Sequence, residues 1–280
     1  MRLVQGTRLT SAIPAVPTGK PVVQRLLASG KPVTILDKLF YPDELDSLSS
    51  SLSHPRSYTS KSPLLKVHIG DIRNTTLLSE IFTSDVVGVV HLAAVSRVLW
   101  CLENEADCWD VNQRGTQLVL DALTNLNAKD SGKRWFVLAS SREVYGNPLH
   151  DKPTTEDMER KPANVYGASK LAAEHVVTKH LDALNTRRAP GTLRVIALRL
   201  SNIYGGVYDH LERLIPSITT QALSHQVIQI SGGQQNVSCH SNRGETHLSN
   251  SLWDSDPPYI ILFLFSLTWC TSTTVSRRSC

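Results

Sequence analysis

The sequence predicts an α/β fold in which a parallel sheet is wound on both sides by helices. Three observations carry the prediction. Short β-branched and apolar runs such as VTIL (33–36) recur along residues 20 to 200. Helix-forming stretches separate them at the spacing of βαβ units. No internal repeat interrupts the pattern.

The elements follow in order. PVVQRLLAS (21–29) reads as a helix, with Pro21 suited to a first helical position and Gly30 to a C-terminal cap. Val22, Val23, Leu26 and Leu27 form its buried stripe. VTIL (33–36) is a buried parallel strand. A Ser-rich loop with prolines runs from about Asp46 to Pro63. LLKVHI (64–69) is the second strand and VVGVVHL (86–92) the third. Val111 to Leu123 has helical spacing, and WFVLA (135–139) is the fourth strand. Ala168 to Leu181, rich in Ala, Leu, Glu and Lys, is a strong helix. LRVIAL (193–198) is the fifth strand. From Gln234 on, Ser, Thr, Asn, Cys and Trp are frequent and no helical or strand period persists. The chain therefore divides into a domain over 1–233 and a poorly specified tail over 234–280.

Composition excludes several classes. Of the 280 residues, 41% are hydrophobic, which suits one large globular domain. The net charge of +4 has no basic block, so nucleic acid is not an expected partner. Cys101, Cys108, Cys239, Cys270 and Cys280 are odd in number and scattered, without a C-x-x-C pair. They speak for a reducing compartment and against a metal site. No signal-peptide run precedes Pro14, and Tyr259 to Cys270 is about half the ~20 residues that span a bilayer. That stretch is a buried strand or an exposed, aggregation-prone tail. A cytoplasmic protein with no membrane partner is the expectation.

Three motifs point to chemistry. In Tyr166-Gly-Ala-Ser-Lys170 the tyrosine and lysine lie four apart, on one helix face. The lysine charge favours the phenolate and lowers the tyrosine pKa, which makes Tyr166 a general acid or base. Ser140-Ser141-Arg-Glu-Val-Tyr-Gly146 follows the fourth strand directly. There the Ser141 hydroxyl stands at the carboxyl end of a parallel strand, where open α/β sheets bind ligands. Asp37 ends the first predicted strand, where a carboxylate accepts both ribose hydroxyls of adenosine and repels a 2′-phosphate. Singly, each has a plainer alternative: a solvated helix face, a Ser-rich strand cap, and an Asp that begins a turn.

Taken together with GDIRN (70–74), VVHLAAVS (89–96), VNQRGT (111–116), VYGASKLAAE (165–174) and LRLSNIYGG (198–206), the chain resembles the extended short-chain dehydrogenase/reductases. The likeness is to the NAD-dependent epimerase/dehydratase family, the group that includes UDP-glucose 4-epimerase, and it covers about residues 20 to 233. The resemblance implies a Rossmann-type fold, NAD as cofactor, a nucleotide-sugar substrate and a homodimer formed through two helices, one of them bearing Tyr166. It implies Ser141, Tyr166 and Lys170 as the catalytic set, with Lys170 and Tyr166 also at the cofactor. Asp37 resembles the ribose-binding acid, and Asp71 and Ile72 the pair that lines the adenine. His91, Leu92, Ala93 and Ala94 resemble the turn over the cofactor, and Asn112 a structural or cofactor-site Asn. Asn202 resembles a contact to the sugar-nucleotide diphosphate. Glu143 joins Ser141 on the substrate side.

Arg142-Glu143 separates the relatives. Sugar-nucleotide 4,6-dehydratases carry Asp-Glu there, and a guanidinium cannot donate the proton that elimination of water needs. Epimerisation is favoured, and Glu143 alone is also compatible with the decarboxylase-like relatives.

Two stretches depart from the family. Its G-x-x-G-x-x-G loop, counted back from Gly30, falls on Ile13, Val16 and Gly19, so only Gly19 remains. Side chains at 13 and 16 crowd the pyrophosphate, and Pro14 and Pro17 remove N–H donors. An alternative takes MRLVQG (1–6) as the first strand, with an insertion after Gly6. After ISGGQQ (230–235) the family's substrate lobe gives way to NVSCHSNRGETHLSN, so that lobe is truncated. Two other readings accompany the epimerase: a non-catalytic or truncated member with weak or no cofactor binding, and an NAD(P)H-dependent carbonyl reductase.

Overall fold

A computed structural model of the chain describes residues 16–38, 63–130, 133–147, 154–187, 192–204, 214–225, 238–241, 259–263 and 271–272. Ile13, the MRLVQG segment and nearly all of the Ser-rich loop lie outside them, as does the side chain of Asn202.

Helix α1 spans Val16–Ala28. It begins five residues earlier than expected, so Pro21 lies inside it rather than at its first position. Its predicted stripe holds: Val23 is fully buried, and Val22, Leu26 and Leu27 pack on the cluster of Val33, Ile35, Leu65 and Leu92. Gly30 ends the helix at φ 72°. Its N–H donates to Leu27 O (2.9 Å) and that of Lys31 to Leu26 O (3.0 Å), a pattern that needs the left-handed backbone glycine tolerates.

The strands β1 (Val33–Asp37), β2 (Leu65–Ile69), β3 (Val86–His91), β4 (Lys133–Ser141) and β5 (Thr192–Leu200) match the five predicted runs. Between them lie α2 (Thr75–Ile81), α3 (Val98–Glu103), α4 (Glu105–Trp109), a π-helix (Asp110–Gly115), α5 (Thr116–Asp130) and α6 (Val165–Arg187). The helical spacing read over 111–123 is thus two elements, a π turn and an α-helix. Asn112 and Gly115 are the buried polar and small residues where the pattern slips.

Beyond β5 come β6 (Asn202–Tyr204), α7 (Leu214–Leu223), β7 (Ser238–Ser241), β8 (Tyr259–Phe263) and β9 (Thr271–Ser272). The sheet order is β2-β1-β8-β3-β4-β5, parallel throughout. β6, β7 and β9 form a second, small sheet. The tail therefore does contain strands. Tyr259–Phe263 pairs with β1 on one side (Thr34↔Ile261) and β3 on the other (Val89↔Ile261). In a doubly wound sheet the first strand of the chain holds the central place and leads directly into the first helix. Here a strand from far along the chain stands there.

Two cysteines are paired, against the reading of scattered thiols. Cys101 and Cys108 are fully buried and joined as a disulfide, with Cα atoms 5.3 Å apart. A break in the helix at Asn104 (φ −131°, ψ 54°) separates α3 from α4 and lets their sulfurs meet. The linear spacing carries no sign of that break.

Candidate active site

Three elements converge at the carboxyl end of β4. Ser141 is its last residue, and the Ser141 hydroxyl oxygen accepts the Glu143 N–H (3.2 Å), capping the 3₁₀ turn Arg142–Tyr145. Asn164 caps α6 in the same way, its Oδ1 accepting the Gly167 N–H at 2.8 Å. Its Nδ2 donates to Glu143 Oε2 at 2.9 Å, so the two caps are tied together. Gly167 is the point of closest approach: a Cβ there would lie 2.5 Å from the Glu143 carbonyl oxygen. Only a glycine lets the first turn of α6 rest on the turn that follows Ser141, and Tyr166 is its neighbour in sequence.

Ser141, Tyr166 and Lys170 are buried, at 7%, 4% and 1% exposure. Burial brings the Lys170 ammonium down to about 8, with the Glu174 carboxylate opposing it. Lys170 in turn adds to the burial that pushes His91 down to about 3. His91 Nε2 lies 2.9 Å from Thr116 Oγ1, whose hydroxyl proton goes to Asn112 O (2.6 Å). The imidazole is therefore neutral, with its proton on Nε2.

The residues expected at the cofactor cluster along the carboxyl ends of β1, β2 and β3. Asp37 ends β1 and is buried, and its carbonyl accepts the Gly70 N–H at 2.8 Å. Leu92, Ala93 and Ala94 are buried immediately after β3. Gly19 is buried in α1. Ile72 is fully buried among Leu36, Leu78 and Val111, and Gly115 packs against it. The Ile72 side chain thus serves the core rather than an open face. The Asp71 carboxylate takes Arg73 through Nε (2.9 Å) and Nη2 (2.6 Å), with Lys38 at 3.3 Å. Burial alone would raise its pKa; Arg73 and Lys38 outweigh that and hold it at about 2. Arg73 also reaches Asp107 (2.6 Å) and Asp110 (2.8 Å), pinning this end of the sheet to α4 and the π-helix.

Asn112 has a structural task. Its side chain accepts the Val95 N–H (2.7 Å) and donates to Val95 O (3.0 Å) and Ser169 Oγ (2.8 Å). It staples the segment after β3 to the helix of Tyr166 and Lys170. Ser169, Glu174, Arg199 and Arg73 were not singled out from the sequence. Glu174 had one signal: it stands four residues beyond Lys170, on the same face.

The arrangement suits a nicotinamide dinucleotide at two of three points. Asp37 offers a buried carboxylate to a ribose, and Lys170 a buried cation beside Tyr166. The third differs: position 16, where the phosphate loop has a glycine, is Val16, the first residue of α1, and Pro17 brings no N–H.

Comparison with known proteins gives the family. Residues 18–238 match the NAD dependent epimerase/dehydratase family. The chain is 30% identical over 205 residues to the low-salt glycan biosynthesis protein Agl12 of Haloferax volcanii, covering 73% of this chain and 59% of that protein. It is 29% identical over 192 residues to a UDP-glucose 4-epimerase of Lacticaseibacillus casei, covering 68% and 50%. A solved dTDP-glucose 4,6-dehydratase from Streptomyces venezuelae, crystallised with NAD bound, superimposes with a TM-score of 0.60 at 27% identity, over 74% of this chain and 59% of that one. The chain spans between 50% and 59% of the length of these relatives.

Proposed function

The chain belongs to the NAD-dependent epimerase/dehydratase family, and from that membership we propose that it acts on a nucleotide sugar, epimerising C4 by transient hydride transfer to NAD. The observation that carries the proposal is the buried Tyr166 and Lys170 on the turn of α6 that rests against the Ser141 turn. NAD, when bound, would supply a reversible hydride acceptor for the sugar carbon. The protein's own residues manage the proton and the oxygen. The Tyr166 phenolate accepts the proton of the sugar hydroxyl, and the Lys170 charge stabilises that phenolate. Ser141 donates a hydrogen bond to the same oxygen as it becomes a carbonyl. Asp37 binds the adenosine ribose and selects NAD over NADP. When the keto-sugar has turned over, Tyr166 gives the proton back.

Relatives include both epimerases and dehydratases. Epimerisation is the closer reading because Arg142 stands where elimination needs an acid. Its guanidinium lies 3.2 Å from Glu143, which also accepts from Asn164. The comparisons give no support to a carbonyl reductase. The departure at the phosphate loop favours the second reading kept from the sequence, a family member that binds NAD weakly or not at all. Titration calorimetry with NAD on the whole chain and on Asp37→Ala separates the two. Micromolar binding that is lost in Asp37→Ala supports an active enzyme, and UDP-glucose then converts to its C4 epimer. A folded chain without NAD binding ends the enzymatic reading. A homodimer through two helices, one of them α6 with Tyr166, is part of the proposal, and sedimentation velocity measures it.

A further inference from the structure

Glu174 is a buried carboxylate to which the proposed reaction gives no part. It is 5% exposed and packed on three sides by donors. Ser140 Oγ, at the end of β4, donates to Oε1 at 2.5 Å. Arg199, on β5, grips both oxygens through Nε (3.0 and 3.3 Å) and Nη2 (2.9 Å). Arg160 stands at 3.6 Å. Arg199 continues outward: Nη1 donates to Tyr145 Oη (2.7 Å) and Glu156 O (2.9 Å), and its guanidinium carbon lies 5.1 Å from the centre of the Tyr145 ring. One carboxylate thus fastens α6 to β4, to β5, and through Arg199 to the 3₁₀ turn that Ser141 caps. Ser140 adjoins Ser141, and Lys170 lies one helical turn before Glu174.

We propose that Glu174 is a positioning residue: held by Ser140 and Arg199, it locks the turn of α6 that bears Lys170 against the ends of β4 and β5, and keeps Lys170 charged beside Tyr166 and Ser141. Burying a charge is costly, and apolar side chains of similar volume often hold two elements together as well or better. A carboxylate here does what an apolar contact does not, because its field acts on the neighbouring ammonium. The ionisable groups around Lys170 are Tyr166 and Glu174 on α6 and His91 on β3, with Arg199 and Arg160 behind Glu174. The neutral His91 supplies no anion at pH 7, so apart from the phenolate that the proposed reaction assigns to Tyr166, Glu174 is the group here that favours the ammonium. Burial by itself would raise the Glu174 carboxyl; Arg199, Ser140 and Arg160 outweigh it and keep it ionised.

The inference rests on the proposed function for the meaning of Lys170, but its test does not need turnover. Lysine side-chain ¹⁵N NMR follows the Lys170 ammonium against pH in the whole chain. In Glu174→Gln its midpoint falls from about 8 by on the order of one pH unit, and Glu174→Asp restores most of it. In Arg160→Gln, a change at a largely exposed side chain, the midpoint moves the other way by a smaller amount, because Glu174 loses a competing cation. Glu174→Gln also lowers kcat several-fold while leaving the Kd for NAD within about twofold. Unchanged Lys170 midpoints in folded Glu174→Gln and Arg160→Gln would overturn the inference. If Glu174→Gln does not fold, the upward shift in Arg160→Gln decides alone, and its absence counts against the inference. Shifts as expected in a chain that binds no NAD would uphold the Glu174 linkage and remove the enzymatic reading instead.

Discussion

Burial brings Lys170 from an ordinary 10.5 to about 8, and that shift has a sign in stability. Between those values the unfolded chain holds the proton and the folded chain releases it, so stability rises with pH across about 8 to 10.5. Below 8 the folded protein bears the full cost of the buried charge. Lys170→Met should therefore stabilise the fold at pH 7, by up to about 3 kcal/mol, and flatten the rise toward pH 10; thermal unfolding at several pH values measures both. The same variant should lose turnover, since the residue is kept for its charge. Tyr166→Phe removes the proton acceptor and should cost about 10²–10⁴-fold in kcat with NAD affinity little changed. His91 acts at the acid end. Burial holds it at about 3 against 6.5 unfolded, so the stability it contributes is complete above 6.5 and drains away as pH falls toward 3. His91→Gln, which can keep a donor to Thr116, should narrow the gap between unfolding midpoints at pH 7 and pH 5.

At the scale of elements, the contact between the segment after β3 and α6 depends on a π turn. Six residues wind more loosely there, and Asn112 faces inward to Val95 and Ser169 as a result. Asn112→Ala would leave the Val95 N–H and C=O buried without that partner, at about 1–3 kcal/mol for each lost group. At roughly 2–4 °C per kcal/mol in a chain of this size, the unfolding midpoint should drop by several degrees. A midpoint within one degree of the parent would mean that the stapling is idle. Gly167 sets a second limit, because any side chain there meets the Glu143 carbonyl, and Gly167→Ala should separate α6 from the Ser141 turn.

The whole sheet turns on β8. β1 and β3 each bond to it, and without it their facing edges stand two strand spacings apart, with interior N–H and C=O groups unmatched. The sheet would split into β2-β1 and β3-β4-β5. Ile261→Pro removes the N–H that this residue brings to the ladder. It should cost several degrees of thermal stability and most of the unfolding cooperativity, and a chain lacking 259–280 should lose more. An unaltered melting curve for either would show that the central slot is filled some other way. This strand does not run on into α1, whose buried stripe packs on Val33 and Ile35 of β1 and Leu65 of β2. NAD affinity, if present, should fall together with stability in Ile261→Pro.

Period and propensity determined much from the sequence alone. The five strands β1 to β5 and the stripe of α1 follow from apolar runs whose spacing leaves one buried solution, and Gly30 announced its cap by its chemistry. Ordered motifs placed Ser141 and Asp37 at the carboxyl ends of their strands, where a parallel sheet presents its ligand loops, and Tyr166 and Lys170 on one face of a helix. What the linear pattern did not hold were facts about neighbours distant in sequence. The Cys101–Cys108 bond needs the break at Asn104, and the core position of Ile72 needs Gly115 beside it. Arg73 gathers three carboxylates from separate elements, and Glu174 finds Arg199 on another strand. The choice of Tyr259–Phe263 for the central slot was tertiary too. A short apolar run reads alike as strand or stray tail until the unpaired edges of β1 and β3 supply the hydrogen bonds that decide between them.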